Sequence, residues 1–272
     1  LQGEIDVFQL AFQAHQDGNL NNAKKLYRRG LKAMPDHPDG LHYAGILALQ
    51  TGKPNEAQKL IRRALQQAPH RPDIHCNFGL VLQQLGRLEA AKEHLETAVE
   101  LQPDFVDALT NLGGVLEAMN DNTGAVSLYR QVVALAPNWP IGHFNLGNGL
   151  VAIDDQSGAV TAFGDALALE PQLVPARVNR AYALRGLGRI KEAVGEIQAA
   201  QKYGDDTVET VGFLGELLID LGDLKQALDV YERALEEYGE NAVMLAGYGE
   251  VLGLLGRHDA AVAAYRKATV SD

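Results

Sequence analysis

Four asparagines stand at 34-residue steps in this sequence: Asn77, Asn111, Asn145 and Asn179. A carboxamide offers one acceptor oxygen and two N–H donors, which complement the C=O and N–H groups of an extended main chain. A row of such groups could hold a peptide by its backbone, but it supplies neither a nucleophile nor a proton-transfer pair. Residues suited to reactive chemistry are scattered. No H-E-x-x-H, no G-x-S-x-G and no phosphate-binding glycine loop occurs. Gly52-Lys53 lacks the upstream glycine and precedes Pro54, so it reads as a turn and a helix start. Gly147-Asn148-Gly149-Leu150-Val151-Ala152 fits G-x-G-x-x-A, yet no strand precedes it, as a dinucleotide site requires. Among the eight histidines His42 and His75 are the most suggestive. No acid or cysteine adds a third ligand at zinc spacing, so both read as packing or surface residues. The single cysteine, Cys76, can form no internal disulfide and reads as a bystander thiol. No catalytic residue, metal or cofactor is expected.

The elements that present the asparagines follow from a repeat. Alanine recurs at Ala23, Ala57, Ala91, Ala125, Ala159, Ala193, Ala227 and Ala261, always 34 residues apart. Counting from Glu4, the repeats run 4–37, 38–71, 72–105, 106–139, 140–173, 174–207, 208–241 and 242–272, within a single domain over 1–272. Position 8 is glycine or alanine in every repeat, position 24 is large and apolar, and position 32 is proline from Pro35 to Pro171. Each unit predicts two amphipathic helices, A over positions 2–14 and B over 18–31. Phe78, Val81, Leu82 and Leu85, for example, fall on one helical stripe. Glycine, or Asn120 and Asp154 in repeats 4 and 5, stands at the A–B turn, where a positive φ ends helix A. Pro38, Pro72 and Pro140 sit where a first helical turn would begin. No alternating pattern suggests a strand. The chain reads as all-α.

Composition narrows the partners. With 35 acidic and 24 basic residues the net charge is -11, which opposes nucleic-acid binding. No apolar run is long enough to span a membrane, and nothing near Leu1 resembles a leader, so a soluble, cytoplasmic chain is expected. Charge is uneven: repeats 1 and 2 sum to +4, repeats 3 to 5 to -10, repeat 6 to +2 and repeat 7 to -7. Arg28, Arg29, Arg62 and Arg63 fall on the outer face of helix B, where solvated surface is the expectation and a docking patch for an acidic partner the alternative.

The period, with Gly at 8, Ala at 20, a large residue at 24 and Pro at 32, resembles the tetratricopeptide repeat. His143-Phe144-Asn145-Leu146-Gly147-Asn148 is close to that family's helix A consensus. The resemblance implies a right-handed superhelical solenoid of eight helix-turn-helix repeats whose A helices line a concave groove. In such arrays of O-GlcNAc-transferase-like enzymes, a similar asparagine ladder holds peptides by their backbone. Position 6, which carries the four asparagines, would then face the groove.

Helices pack about 8–10 Å apart and an extended chain advances about 3.3 Å per residue. Each repeat thus matches about three peptide residues. A net ~0.5–1.5 kcal/mol per hydrogen bond, against ~1 kcal/mol or more per ordered residue, makes backbone gripping weak and sequence-tolerant. Selectivity would fall to neighbours: Asp73, Asp107, Thr110, Phe144, Asn148, Tyr182, Glu117 and Arg185. The presumed groove counts Asp39, Asp73, Asp107, Glu117, Glu209, Glu216, Asp220 and Glu250 against essentially Arg185. The lysine-rich carboxylate clamp of the family's chaperone-binding members is absent, since Thr110, Pro175 and Asn179 stand at its places. A protein or peptide segment of neutral or basic character is the expected partner.

Three readings remain. The first is a non-catalytic scaffold that grips a partner segment. The second is the substrate-recognition arm of a larger glycosyltransferase- or sulfotransferase-type enzyme, because Gln13 to Leu20 and Pro35 to Pro38 resemble the leading repeat of such proteins. The third is a self-assembling scaffold. Phe8 and Phe12 at one end and Val262, Tyr265 and Ala268 at the other read as uncovered. They suggest a homo-oligomer through the end repeats, or a segment of a longer chain.

Overall fold

A computed structural model of the chain describes residues 2–269, with side chains from Val7 onward. The end of the eighth repeat at Asp272 lies outside the described residues. All regular structure among them is helical, and the chain groups into two compact units, Leu1–Ala136 and Pro137–Asp272. The first holds α1 (Gln2–Gln16), α2 (Leu20–Ala33), α3 (Pro38–Gln50), α4 (Pro54–Gln67), α5 (Pro72–Gln84), α6 (Leu88–Leu101), α7 (Val106–Ala118) and α8 (Asn122–Leu135). The second holds α9 (Pro140–Ala152), α10 (Gln156–Leu169), α11 (Val174–Gly186), α12 (Ile190–Lys202), α13 (Val208–Leu221), α14 (Leu224–Tyr238), α15 (Ala242–Leu254) and α16 (His258–Ala268). Odd-numbered helices are the A helices and even-numbered ones the B helices. Within each unit every A helix packs on its own B helix, and each pair packs on the next.

Local chemistry sets the boundaries. Pro38, Pro72 and Pro140 each occupy the first residue of an A helix, where a missing N–H leaves no bond unmade. Helices therefore begin one residue earlier than the apolar stripe alone suggests. At the A–B turn Gly52 has φ +73°, and Asn120 and Asp154 take the same left-handed conformation at φ 63°. Asp121, Asp155 and Asp223 then cap the B helices, each accepting a backbone N–H three residues on. The B–A connection comes in two kinds. α2, α4, α6, α8 and α10 end on an extended residue next to proline, as at Met34 and Ala68. Where that proline is lost, Gly204 (φ 93°) and Gly239 (φ 77°) turn the chain instead.

The column that closes the repeat is a small residue beneath a large one. A Cβ placed on Gly147 would lie 2.4 Å from Phe163, and one on Gly79 would lie 2.5 Å from Leu95. The alanines of position 20 are fully buried from Ala23 to Ala227. Burying each side chain above them is worth about 1.5–3 kcal/mol, so the contact recurs in every repeat. One expectation is overturned here. Phe8 is buried and stacks on His37 with ring centroids 4.4 Å apart, and Phe12 leans on Tyr43 at 4.7 Å. Phe8 is covered by His37 and Gly30 of its own repeat and by Gly40 of the next, and Phe12 meets Tyr43 of the next, so neither is left uncovered. Val262 and Tyr265 on α16 are 47% and 43% exposed.

Candidate functional site

The ladder asparagines occupy the same turn of α5, α7, α9 and α11, and all four are half-buried. Three of them reach back to the preceding A helix of their own unit. Asn77 Nδ2 lies 2.9 Å from His42 Nε2 and also donates to Asp73 O at 3.0 Å. Asn111 Nδ2 donates to Cys76 Sγ at 3.3 Å, and Asn179 Nδ2 donates to Asn148 Oδ1 at 2.8 Å. Asn145 sits between them in sequence beside Phe144, whose ring is tilted against Phe163 at 5.9 Å. None of the four Oδ1 atoms accepts a bond among the described residues. Within each unit the ladder asparagines therefore present acceptors suited to main-chain N–H groups, with their donors partly occupied.

The neighbours divide sharply. Tyr182 is 52% exposed and lies flat on Phe213, centroids 3.9 Å apart and planes 13° from parallel. Asp107 is exposed, while Thr110 returns its hydroxyl to Val106 O on its own helix. Glu117 accepts from Tyr129 Oη at 3.0 Å. Arg185 and Asp73, expected as free contacts, are engaged within the protein. Arg185 bonds Glu216 and Asp220, both at 2.7 Å, and lies over Phe213. Asp73 is gripped by both arms of Arg71, at 2.6 and 2.7 Å, while a third Arg71 nitrogen reaches Asp39 at 3.0 Å. The count of one groove cation is corrected accordingly: Arg71 stands beside two of the eight acids. It was missed because the last position of a repeat reads as a linker, although its place two residues before Asp73 was a signal.

His42 anchors this corner. It is 1% exposed, and burial drives its pKa down to about 4, with Asp73 working in the opposite direction. The imidazole is thus neutral and can accept from Asn77 at Nε2. Its Nδ1 then carries the proton, 3.8 Å from Asp73 Oδ2 and without a partner. Burial also tends to raise Asp73, but Arg71's bonds and charge hold it below its ordinary value. Burial pushes the Cys76 thiol up to about 11, with the Asn111 bond only partly offsetting it. That thiol is an acceptor and packing group, not a nucleophile.

In the second unit, α11, α13 and α15 line a cleft of about 460 Å³. Glu216, Asp220 and Glu250 line it with Arg185, and Ile219 and Val243 add apolar surface. Among the described residues no group of three His, Cys, Asp or Glu could hold a metal ion, and no helix is long and apolar enough to cross a membrane.

Family models described as tetratricopeptide repeat match residues 14–77, 76–140 and 214–272. No curated protein matches the chain. Among solved structures, PilF of Pseudomonas aeruginosa is similar at 19% identity and TM-score 0.69, over 79% of this chain and 98% of that one. The C-terminal part of a TPR repeat-containing protein from Cytophaga hutchinsonii is similar at 17% identity and TM-score 0.68, over 84% and 94%. YrrB, described as a TPR protein with an unusual peptide-binding site, is similar at 18% identity and TM-score 0.58, over 65% and 91%. These likenesses share the paired-helix fold, and the family matches span most of the sequence. The chain belongs to the tetratricopeptide repeat family.

Proposed function

We propose that this protein is a non-catalytic scaffold that holds an extended segment of a partner protein along its A helices, with neutral or basic segments preferred. The observation that carries this reading is the bonding of the ladder. Asn77 spends both amide N–H groups on the protein and Asn111 and Asn179 one each, which fixes the carboxamide, and each keeps its Oδ1 for a ligand. A fixed acceptor loses little side-chain entropy on binding, so more of each bond's net ~0.5–1.5 kcal/mol reaches the affinity. In the second unit Asn145 adds a fourth carboxamide, and Phe144 and Tyr182 of the same unit offer apolar surface. The excess of carboxylates around the second unit's cleft supports the preference for basic segments. YrrB's peptide-binding site is in keeping with a ligand of this kind.

The experiment is a fluorescence-anisotropy panel of labelled decapeptides of lysine-rich, neutral and glutamate-rich composition, titrated with the protein and with the Asn77→Ala, Asn111→Ala, Asn145→Ala, Asn179→Ala variant. The reading expects the lysine-rich and neutral peptides to bind and the variant to lose most of that binding, whereas whatever binding the glutamate-rich peptide shows should be unchanged in the variant. Equal binding by both proteins would make the ladder a packing feature.

A further inference from the structure

In the first unit, α4, α5 and α6 line an open surface cavity of about 380 Å³. Its floor is apolar, formed by Leu65, Phe78 and Leu82, and its rim carries Arg62, Arg87 and His94. Between the arginines lies Gln58, only 8% exposed. With the amide turned so that acceptor faces donors, Gln58 Oε1 accepts from Arg62 Nη2 at 3.2 Å and from Arg87 Nη1 at 2.7 Å. One neutral oxygen thus holds two like charges side by side. Neither guanidinium forms an ion pair among the described residues.

His94 adds a third polar group. Pro69 O can only accept, so His75 Nε2 must donate to it at 3.0 Å, and His75 Nδ1 is left as an acceptor. His94 Nδ1 then donates to that nitrogen at 3.0 Å, which leaves His94 Nε2 to take up a proton. The groups acting on His94 are His75 and Arg62, which disfavour its charged form together with burial, and Glu93, which favours it.

We infer that this cavity docks an acidic segment of a partner protein, with a Glu or Asp carboxylate laid across Arg62 and Arg87 and an adjacent apolar side chain seated on Phe78 and Leu82. Two guanidiniums held in register match the two oxygens of a carboxylate, with the apolar floor immediately below. The complementarity is local: repeat 2, which supplies Arg62, has net charge +3, whereas repeat 3, which supplies Arg87, has net charge -4, so the paired guanidiniums themselves and not the surrounding field select the carboxylate. The site is separate from the asparagine row, and neither proposal depends on the other.

The test uses a fluorescein-labelled hexapeptide with the central run Leu-Glu-Leu-Glu, its Leu-Gln-Leu-Gln counterpart, and a Leu-phosphoserine-Leu-phosphoserine form. The full chain should bind the glutamate peptide at least tenfold more tightly than the glutamine one. The Arg62→Gln, Arg87→Gln variant should lose that preference, and the Asn77→Ala, Asn111→Ala variant should keep it. Arg87→Gln alone, which leaves Gln58 bonded to Arg62, should weaken binding several-fold if the double variant does not fold. Binding should also raise the His94 titration midpoint read by NMR. Equal affinity for the glutamate and glutamine peptides, or a preference that survives Arg62→Gln, Arg87→Gln, would overturn the inference. Tighter binding of the phosphoserine peptide would overturn its assignment to carboxylates.

Discussion

Asn77 and His42 face each other across successive A helices, amide nitrogen to imidazole Nε2 at 2.9 Å, so the most buried histidine of the first unit orients the first asparagine of the ladder. The bond requires a neutral ring, because a protonated Nε2 has no lone pair to offer.

Stability should therefore depend on pH through His42. Its folded pKa, about 4, lies below its ordinary value of 6.5. Above the higher value the ring is neutral in both states. Between the two the unfolded chain binds the proton and the folded one does not, so stability falls as pH drops and the loss is complete below the folded value. The full loss amounts to about 3 kcal/mol. Chemical denaturation across that window should show the decline, and His42→Gln should flatten it. An identical decline in the variant would assign it to other groups.

Arg71 disfavours the charged imidazole, whereas Asp73 and Asp39 favour it. Arg71→Met should raise the His42 titration midpoint in an NMR pH series, since it leaves both carboxylates facing the ring unneutralised. An unchanged midpoint would show that the Arg71 clamp does not act on His42.

Gly147 admits Phe163, and adding a methyl there should cost about 1–3 kcal/mol through overpacking. Phe163→Leu in the same chain should recover part of that cost, so the double variant should lose less stability than the two single effects summed. Strict additivity in urea denaturation would show that the two residues do not collide.

Cys76 is 3% exposed, and its thiol is pushed up to about 11. At neutral pH it should react with a thiol reagent such as dithiobis(nitrobenzoate) only as fast as the first unit opens. Asn111→Ala, which removes the bond that favours the thiolate, should not speed the reaction in the folded state. Rapid labelling of the native protein would contradict this placement.

Much of the fold was legible because the repeat is enforced by contacts inside one repeat. Position 8 must be small because position 24 of the same repeat fills the space above it, as Gly147 and Phe163 do. The turn conformation reads directly from Gly52, and from Asn120 and Asp154 where glycine is replaced. The site was legible only as a column. Which group each asparagine bonds depends on the stagger between successive A helices, so His42, Cys76 and Asn148 as partners leave no pattern in the spacing. Phe8 was misread because its cover, His37 at the end of its own repeat and Gly40 at the start of the next, lies far along the chain from α1. Gln58 reads as one more polar residue on a surface helix, and only the packing of α4 against α5 and α6 buries it between two arginines.

The central claim, that the asparagine row recognises main chain, is tested most directly by backbone methylation of the ligand. A neutral or lysine-rich decapeptide that binds in the panel is compared by calorimetry with the same peptide N-methylated at alternate residues, against the wild type and the four-asparagine alanine variant. The account predicts a loss of at least tenfold for the wild type and little further change for the variant. An undiminished affinity of the wild type for the methylated peptide would contradict it.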